Sequence, residues 1–77
     1  MKIAIGLTFP GELKDDSVIC YICKEYNINV NIIEASFSNA SGWAILEVEG
    51  EEPELKKVFE YLGSKNIKLQ QIQKNNG

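Results

Sequence analysis

Two cysteines are the residues of this chain whose type and spacing best suit redox or metal chemistry. Cys20 and Cys23 have the spacing C-x-x-C, which is also that of a thioredoxin-like redox pair or of half a metal site. Inside a helix their Cβ atoms would lie about 5 to 6 Å apart, whereas a disulfide needs about 3.8 Å. A metal would need two further ligands, and the chain has neither a histidine nor a third cysteine. We therefore interpret both as packing thiols that are not bonded to each other, and we expect no metal and no cofactor.

The acidic side chains are the second candidates for chemistry. Glu51, Glu52 and Glu54 crowd the expected start of a helix, where the helix dipole favours negative charge and solvent is close. Glu34 is the exception, because strict alternation along its strand puts it on the core side, where a lone carboxylate is costly. A strand end that emerges from under the helices explains this most simply, a β-bulge next, and a functional carboxylate third. With no histidine for acid–base work at neutral pH, we expect no enzyme and no catalytic residue.

Length and charge limit the remaining classes of function. The chain has 77 residues, enough for one domain of marginal stability that a partner subunit would help. Its net charge of −3 comes from 11 acidic and 8 basic residues without a basic cluster, which argues against nucleic acid. The opening run "MKIAIGLTF" is too short for a signal sequence or a membrane span. We expect a cytoplasmic domain, ordered over about residues 2–73 with a tail at 74–77, and no membrane insertion.

The first half of the apolar pattern predicts a strand and then a helix. Residues 3–9 alternate in hydrophobicity as a half-buried strand does, and Pro10 and Gly11 end the pairing and turn the chain. Asp15 or Asp16 is expected to cap the following helix. Its apolar positions recur at helical spacing: Val18, Ile19, Ile22, Cys23 and Tyr26.

The second half predicts a hairpin, a helix and a last strand. Residues 28–37 are rich in β-branched side chains, and residues 43–50 follow as a third strand after a turn of small polar residues. Pro53 suits the first turn of a second helix, and Gly63 is a natural stop for it. A fourth strand is expected from Ile67.

This order predicts an α+β ferredoxin-like βαββαβ fold, with a four-stranded antiparallel sheet and both helices on one face. Alternation assigns these residues to the helix side: Ile3, Ile5, Leu7, Phe9, Val30, Ile32, Ala44, Leu46 and Val48. It assigns these to the opposite side: Ala4, Thr8, Asn31, Ile33, Ala35, Phe37, Trp43 and Ile45. The second set is too apolar for open water, so we expect a homodimer to cover it.

Three segments in this order resemble a NIL domain: "LTFPGEL" at 7–13, "VNII" at 30–33 and "GWAILEVEG" at 42–50. The resemblance spans roughly Leu7 to Ile72. It implies the ferredoxin-like fold and a likeness to ACT domains, which are regulatory modules that bind amino acids at dimer interfaces. The best understood NIL domains end the ATPases of methionine ABC transporters, where a domain pair binds methionine and inhibits transport.

The resemblance also implies a ligand site. The namesake motif is Asn31-Ile32-Ile33, and the methionine pocket of the family lies beside its Asn, at the interface of the pair. The expected ligand-binding residues are Asn31, Ile33, Ala35 and Trp43. The expected interface residues are Ile33, Phe37, Trp43 and Ile45. From the residues alone, we would interpret Asn31 as a strand residue that faces solvent or an interface, and only the resemblance makes a ligand-binding role an equal alternative.

One departure from the transporter type leaves two functions open. The segment "SFSNASGW" makes a short hairpin, similar to that of NIL domains found beside ferredoxin-type iron–sulfur domains and linked to homocysteine synthesis. The iron–sulfur cysteines of such fusions are absent from this chain. The first hypothesis is a homodimeric sensor of methionine or a related sulfur amino acid that regulates a transporter or a biosynthetic complex. The alternative is an interaction module that docks on an iron–sulfur or sulfur-transfer protein and binds no metabolite.

Overall fold

The described residues form four strands and two helices in the predicted order. The structure is a computed structural model and describes residues 1–11, 17–38 and 40–72. The elements are β1 (Lys2–Phe9), α1 (Val18–Glu25), β2 (Asn29–Phe37), β3 (Gly42–Glu49), α2 (Glu52–Ser64) and β4 (Lys68–Ile72). The sheet is antiparallel with the strand order β2-β3-β1-β4. The ferredoxin-like prediction is therefore confirmed. The predicted cap at Asp15 or Asp16 and the predicted tail lie outside the described residues.

One face of the sheet carries the hydrophobic core. Ile5 and Leu7 on β1 and Leu46 on β3 are almost completely buried, and they belong to one cluster with side chains of both helices. The helical members of that cluster are Val18, Ile22, Leu55, Val58 and Leu62. Because both helices reach the same set of strand residues, both lie on the same face. The opposite face has no helix over it in the described part of the chain.

The two predicted stop signals have different outcomes. β1 ends at Phe9, directly before Pro10, as expected. Helix α2 passes through Gly63, however, and its end is formed by Asn66, whose φ is 61°. The N–H of Ile67 donates to the carbonyl of Leu62 and the N–H of Asn66 to that of Gly63, the bond pair of a Schellman motif. The prediction of Gly63 as the stop was wrong because asparagine also tolerates the left-handed conformation.

A β-bulge in β2 changes which residues face the helices. Ile32 pairs with Leu46, but the next residue of β3, Ile45, pairs with Glu34, so Ile33 is an extra residue in the strand. One extra residue reverses the facing of every side chain that follows it. Glu34 therefore shares the helix-free side with Ile45. The bulge, which ranked second among the explanations for Glu34, is the correct one.

The same bulge overturns the predicted facing of Ala35 and Phe37. Ala35 pairs with Ala44 and Phe37 pairs with Gly42, so both lie on the helix side and not beside Trp43. The ring of Phe37 lies over Gly42, where a Cβ atom would overlap it, and its centroid is 5.6 Å from that of Phe9. Both residues remain exposed because β2 is an edge strand whose residues 31–38 are all exposed.

Candidate functional site

The face of the sheet opposite the helices is the candidate functional surface. We call it the helix-free face. Its members follow from the register, because directly paired residues of antiparallel strands point to the same side. They form four rows across β2, β3, β1 and β4: Ser36, Trp43, Thr8 and Lys68; Glu34, Ile45, Gly6 and Gln70; Asn31, Glu47, Ala4 and Ile72; and Asn29, Glu49 and Lys2.

The middle of the helix-free face is apolar and partly exposed. Trp43 and Ile72 are 39% and 37% exposed, and Ile45 is half-buried. Ile72 leans over β1, since its Cδ1 would lie 3.5 Å from a Cβ at Gly6. An apolar area of this kind, surrounded by charged side chains, is typical of a surface that meets a partner or a ligand.

An open groove of about 600 Å³ lies on this face between β3, β1 and β4. Trp43 and Ile45 form one wall and Lys68 and Gln70 the other, with Gly6 in the floor. The volume is within the range of small-molecule sites, about 300 to 1,000 Å³. The lining combines an aromatic ring, aliphatic carbons, an amide and an ammonium group. Such a set can hold a small zwitterion with an apolar side chain.

The predicted ligand residues are not brought together in one subunit. Asn31 lies on the helix-free face opposite Glu47, and Trp43 is four residues further along β3. At about 3.3 Å per residue, the two are about 13 Å apart along the strand. Ile33 stands at the bulge and is 55% exposed, and Ala35 faces the helix side.

Sequence reasoning missed the contribution of β4 to the groove. Lys68, Gln70 and Ile72 alternate along β4 and share the helix-free face. The signal was limited to the short alternation "IKLQ" at 67–70, in which Ile67 belongs to the core and Leu69 packs against it. Only the register of β4 with β1 decides which of its residues face the helices and which lie on the helix-free face.

The two cysteines do not belong to this surface. Both are free thiols on α1 and both are exposed, while the buried residues of that helix are Val18 and Ile22. The interpretation of both as packing thiols is therefore wrong. Partial burial of the thiol raises the pKa of Cys23, and the charge of Cys20 raises it further. Among the described residues, no cluster of three or more His, Cys, Asp or Glu side chains could hold a metal ion.

A tyrosine cluster holds the two helices together on the other side of the molecule. Tyr21 and Tyr61 stack with ring centroids 4.6 Å apart, and Tyr26 lies near both. Burial raises the pKa of the Tyr26 hydroxyl, and the charges of Tyr21 and of neighbouring carboxylates raise it further. Glu54 at the start of α2 accepts a hydrogen bond from the N–H of Asn27 at 2.9 Å. These contacts stabilise the arrangement of the helices.

Comparison with known families identifies the domain. The family model described as "NIL domain" matches residues 4–71, which is most of the chain. The chain belongs to the NIL domain family. Within the described residues of this NIL domain, none of the helices has the length and apolar character needed to cross a membrane.

The similar proteins are named as methionine import ATP-binding proteins. The methionine import ATP-binding protein MetN of Bacillus subtilis (strain 168) is 28% identical over 72 residues, covering 88% of this chain and 21% of its own length. The methionine import ATP-binding protein MetN 2 of Bacillus anthracis is 33% identical over 60 residues, covering 73% of this chain and 18% of its own length. The NIL domain chain thus spans about a fifth of the length of these curated relatives.

A solved structure has the same fold. The C-terminal domain of an ABC transporter ATP-binding protein from Enterococcus faecalis superimposes with a TM-score of 0.77 at 23% identity. The match covers 95% of this chain and 86% of that domain. At this identity the likeness shows the fold alone.

Proposed function

We propose that this NIL domain is a non-catalytic regulatory module that binds methionine or a related sulfur amino acid at a homodimer interface on its helix-free face. The observation that carries the proposal is the groove between β3, β1 and β4, whose size and lining suit such a ligand. Family membership supports it, because the relatives described above are named as methionine import ATP-binding proteins.

The chemistry of the face fits a thioether amino acid. A methionine or homocysteine side chain would lie against Ile45 and point towards Trp43, since sulfur makes favourable contacts with aromatic rings. Asn31 would bind the polar end, because its amide can donate to a carboxylate and accept from an ammonium group. Asn31 lies on β2, outside the groove of its own subunit. The proposed site therefore needs Asn31 from the second copy.

Under this proposal, the domain regulates the import of an amino acid. A module of this kind would act on the cytoplasmic side, where ligand bound to a domain pair would inhibit import when the amino acid is abundant. The alternative, docking on an iron–sulfur or sulfur-transfer protein without a metabolite, gains no support from these relatives, which are named as methionine import ATP-binding proteins. We keep it as an outcome of the test.

Calorimetric titration with L-methionine and with L-homocysteine tests the proposal. The Asn31→Ala variant should bind the ligand at least tenfold more weakly, because a hydrogen bond to a charged group contributes about 1.5 to 3 kcal/mol. Asn29→Ala is the matched control, since Asn29 is the same residue type on the same strand and face. It should bind as the parent does.

Two results would contradict the proposal. The first is an absence of binding heat with either amino acid at millimolar concentration while circular dichroism shows a folded protein, which would favour the docking alternative. The second is an equal loss of affinity in the Asn31 and Asn29 variants, which would remove Asn31 from the site.

A further inference from the structure

A second groove lies between the two helices, on the side of the molecule away from the helix-free face. We call it the interhelical groove, and its volume is about 470 Å³. The side chains that α1 contributes recur every three or four residues, so they share one face of that helix. The groove is lined chiefly by Ser17, Cys20, Tyr21 and Lys24 from α1 and by Tyr61 and Lys65 from α2 and its C-cap.

Two stacked tyrosine rings form the middle of the interhelical groove. The ring centroids of Tyr21 and Tyr61 are 4.6 Å apart, and the ring planes are 23° from parallel. Tyr21 is 42% exposed, so part of its ring is available to a second molecule. Aromatic side chains that combine an apolar ring with a polar tip are enriched where proteins contact one another.

A lysine lies on each side of the stacked rings. The ammonium nitrogen of Lys65 is 6.0 Å from the centroid of the Tyr61 ring, and Lys24 lies three residues beyond Tyr21 on α1. Neither lysine forms an ion pair with a residue that the structure describes, and no described carboxylate lines the groove. The described lining is therefore positively charged, in a chain whose net charge is −3.

The two lysines are separated because the helices run in opposite directions. Helix α1 follows β1 and α2 follows β3, and these two strands are antiparallel. The end of α1 accordingly lies beside the start of α2, where the N–H of Asn27 donates to Glu54. At about 1.5 Å per residue, Lys24 is about 4.5 Å from the stacked rings along α1, Lys65 is about 6 Å from them the other way, and the two lysines are about 10 Å apart.

We infer that the interhelical groove docks a short acidic helix of a partner protein, with two carboxylates seven residues apart and an apolar side chain midway between them. Seven residues of helix make about two turns and span about 10.5 Å, so both carboxylates lie on one face at the spacing of Lys24 and Lys65. The side chain three or four residues from each carboxylate shares that face and contacts the ring of Tyr21. Opposite charges then fix the position of the helix along the groove.

The arrangement favours a protein segment over a compact anion. A compact anion would need both lysine side chains to bend over the tyrosine rings, which would cover the exposed apolar surface of Tyr21. A helix meets each lysine where it lies and covers the rings with an apolar side chain, which is how interfaces between proteins are built, with an apolar centre and a polar rim.

Neighbouring carboxylates limit the length of the acidic segment. Burial raises the pKa of the Tyr26 hydroxyl, and nearby negative charges raise it further, among them those of Glu25, Glu54 and Glu60. Tyr26 is two residues beyond Lys24, so the surface becomes acidic at that end of the groove. A partner helix with further carboxylates past this point would be repelled. The acidic face that fits is therefore about two turns long.

A synthetic helical peptide tests the inference. The probe is an alanine-based peptide with two glutamates seven positions apart and a leucine midway between them, titrated at low ionic strength into the isotope-labelled 77-residue chain and followed by NMR. It should shift the amide signals of Tyr21, Lys24 and Lys65. The indole signal of Trp43, the one tryptophan of the chain, lies on the helix-free face and should not move.

Reversing the charge of both lysines identifies the contact. Lys24→Glu combined with Lys65→Glu should raise the dissociation constant of the peptide at least tenfold, because each attraction becomes a repulsion. The same double variant should bind a peptide with lysines in place of the glutamates more tightly than the parent does. Lys56→Glu combined with Lys57→Glu is the matched control, since it makes the same change in net charge on α2 outside the groove, and it should bind as the parent does. Circular dichroism verifies that each variant is folded.

Three results would overturn the inference. The first is an absence of shifts in the groove up to millimolar peptide. The second is an equal loss of affinity in the two double variants, which would mean attraction to net charge alone. The third is binding of inorganic phosphate or of phosphatidylglycerol vesicles, but not of the peptide, that depends on Lys24 and Lys65. The inference does not rest on the proposed function, and L-methionine binding is read at the Trp43 indole, so either can fail without the other.

Discussion

The C-x-x-C spacing of Cys20 and Cys23 does not by itself predict a reactive thiol. The spacing is that of a redox pair, but both thiols are free and exposed on the outer side of α1. Partial burial of the thiol and the charge of Cys20 both raise the pKa of Cys23. A raised pKa leaves more of the thiol protonated at a given pH, which is the opposite of what a nucleophilic cysteine needs.

Removing Cys20 should change the titration of Cys23 in a definite direction. In Cys20→Ser the like charge is lost, so the pKa of Cys23 should fall, while burial should keep it above that of a cysteine in the unfolded chain. The pH dependence of alkylation by iodoacetamide, followed by mass spectrometry of the Cys23 peptide, measures this. The midpoint should move to lower pH, and the same variant in denaturant gives the reference. A midpoint that does not move would show that the two thiols are not coupled.

Strand β2 is the element in which local pattern and final structure differ most. Its bulge at Ile33 leaves the pairing regular on both sides, with Ile32 opposite Leu46 and Glu34 opposite Ile45. Regular alternation would place a lone carboxylate on the core side, and the bulge avoids this. It takes the Glu34 carboxylate away from the core side and lets Phe37 cover Gly42.

Deleting one residue at the bulge should be tolerated. Without Ile33, the residues on either side keep their partners in β3, and little buried surface is lost because Ile33 is 55% exposed. We expect a melting temperature within about 5 °C of the parent, equivalent to about 1 kcal/mol for a domain of this size. Deletion of Ile45 is the contrasting control, because it turns part of a central strand to the wrong face. That variant should be unfolded by circular dichroism. Loss of folding on deletion of Ile33 would mean that the bulge itself is needed.

At the scale of the whole molecule, the two faces of the sheet differ in whether helices cover them. The helices cover the core side, and the helix-free face keeps Trp43, Ile45 and Ile72 partly in contact with water. Covering that area releases about 25 cal/mol for each Å² of apolar surface. A small domain with limited core gains relatively more from this than a large one.

A charge at the centre of the helix-free face should convert the proposed dimer to monomer without unfolding it. Ile45→Lys would leave an unpaired charge buried between subunits, which costs several kcal/mol, whereas in a single subunit the side chain at this position reaches solvent. Light scattering should report a monomer and circular dichroism an unchanged fold. Phe37→Lys is the matched control, because Phe37 faces the helix side, and it should remain a dimer. The reverse result would mean that the copies associate along the edge strand β2.

The order of elements and most of the core could be predicted from the sequence because both depend on local pattern. Alternation in β1 and β3 and helical spacing in α2 correctly assigned Ile5, Leu46 and Val58 to the core. Pro10 marked the end of β1 for a reason contained in one residue, its missing N–H. The family was also identifiable from sequence, since each of its motifs is a short contiguous segment.

The composition of the helix-free face was decided only by the tertiary structure. A one-residue shift in β2 moved Glu34 onto that face and Ala35 and Phe37 off it, and no local signal distinguishes Ile33 as the extra residue. Lys68 joined the groove only through the register of β4 with β1. Facing depends on which residues pair across strands that are distant in sequence, and a pattern with a period of two is equally satisfied by either side of the sheet.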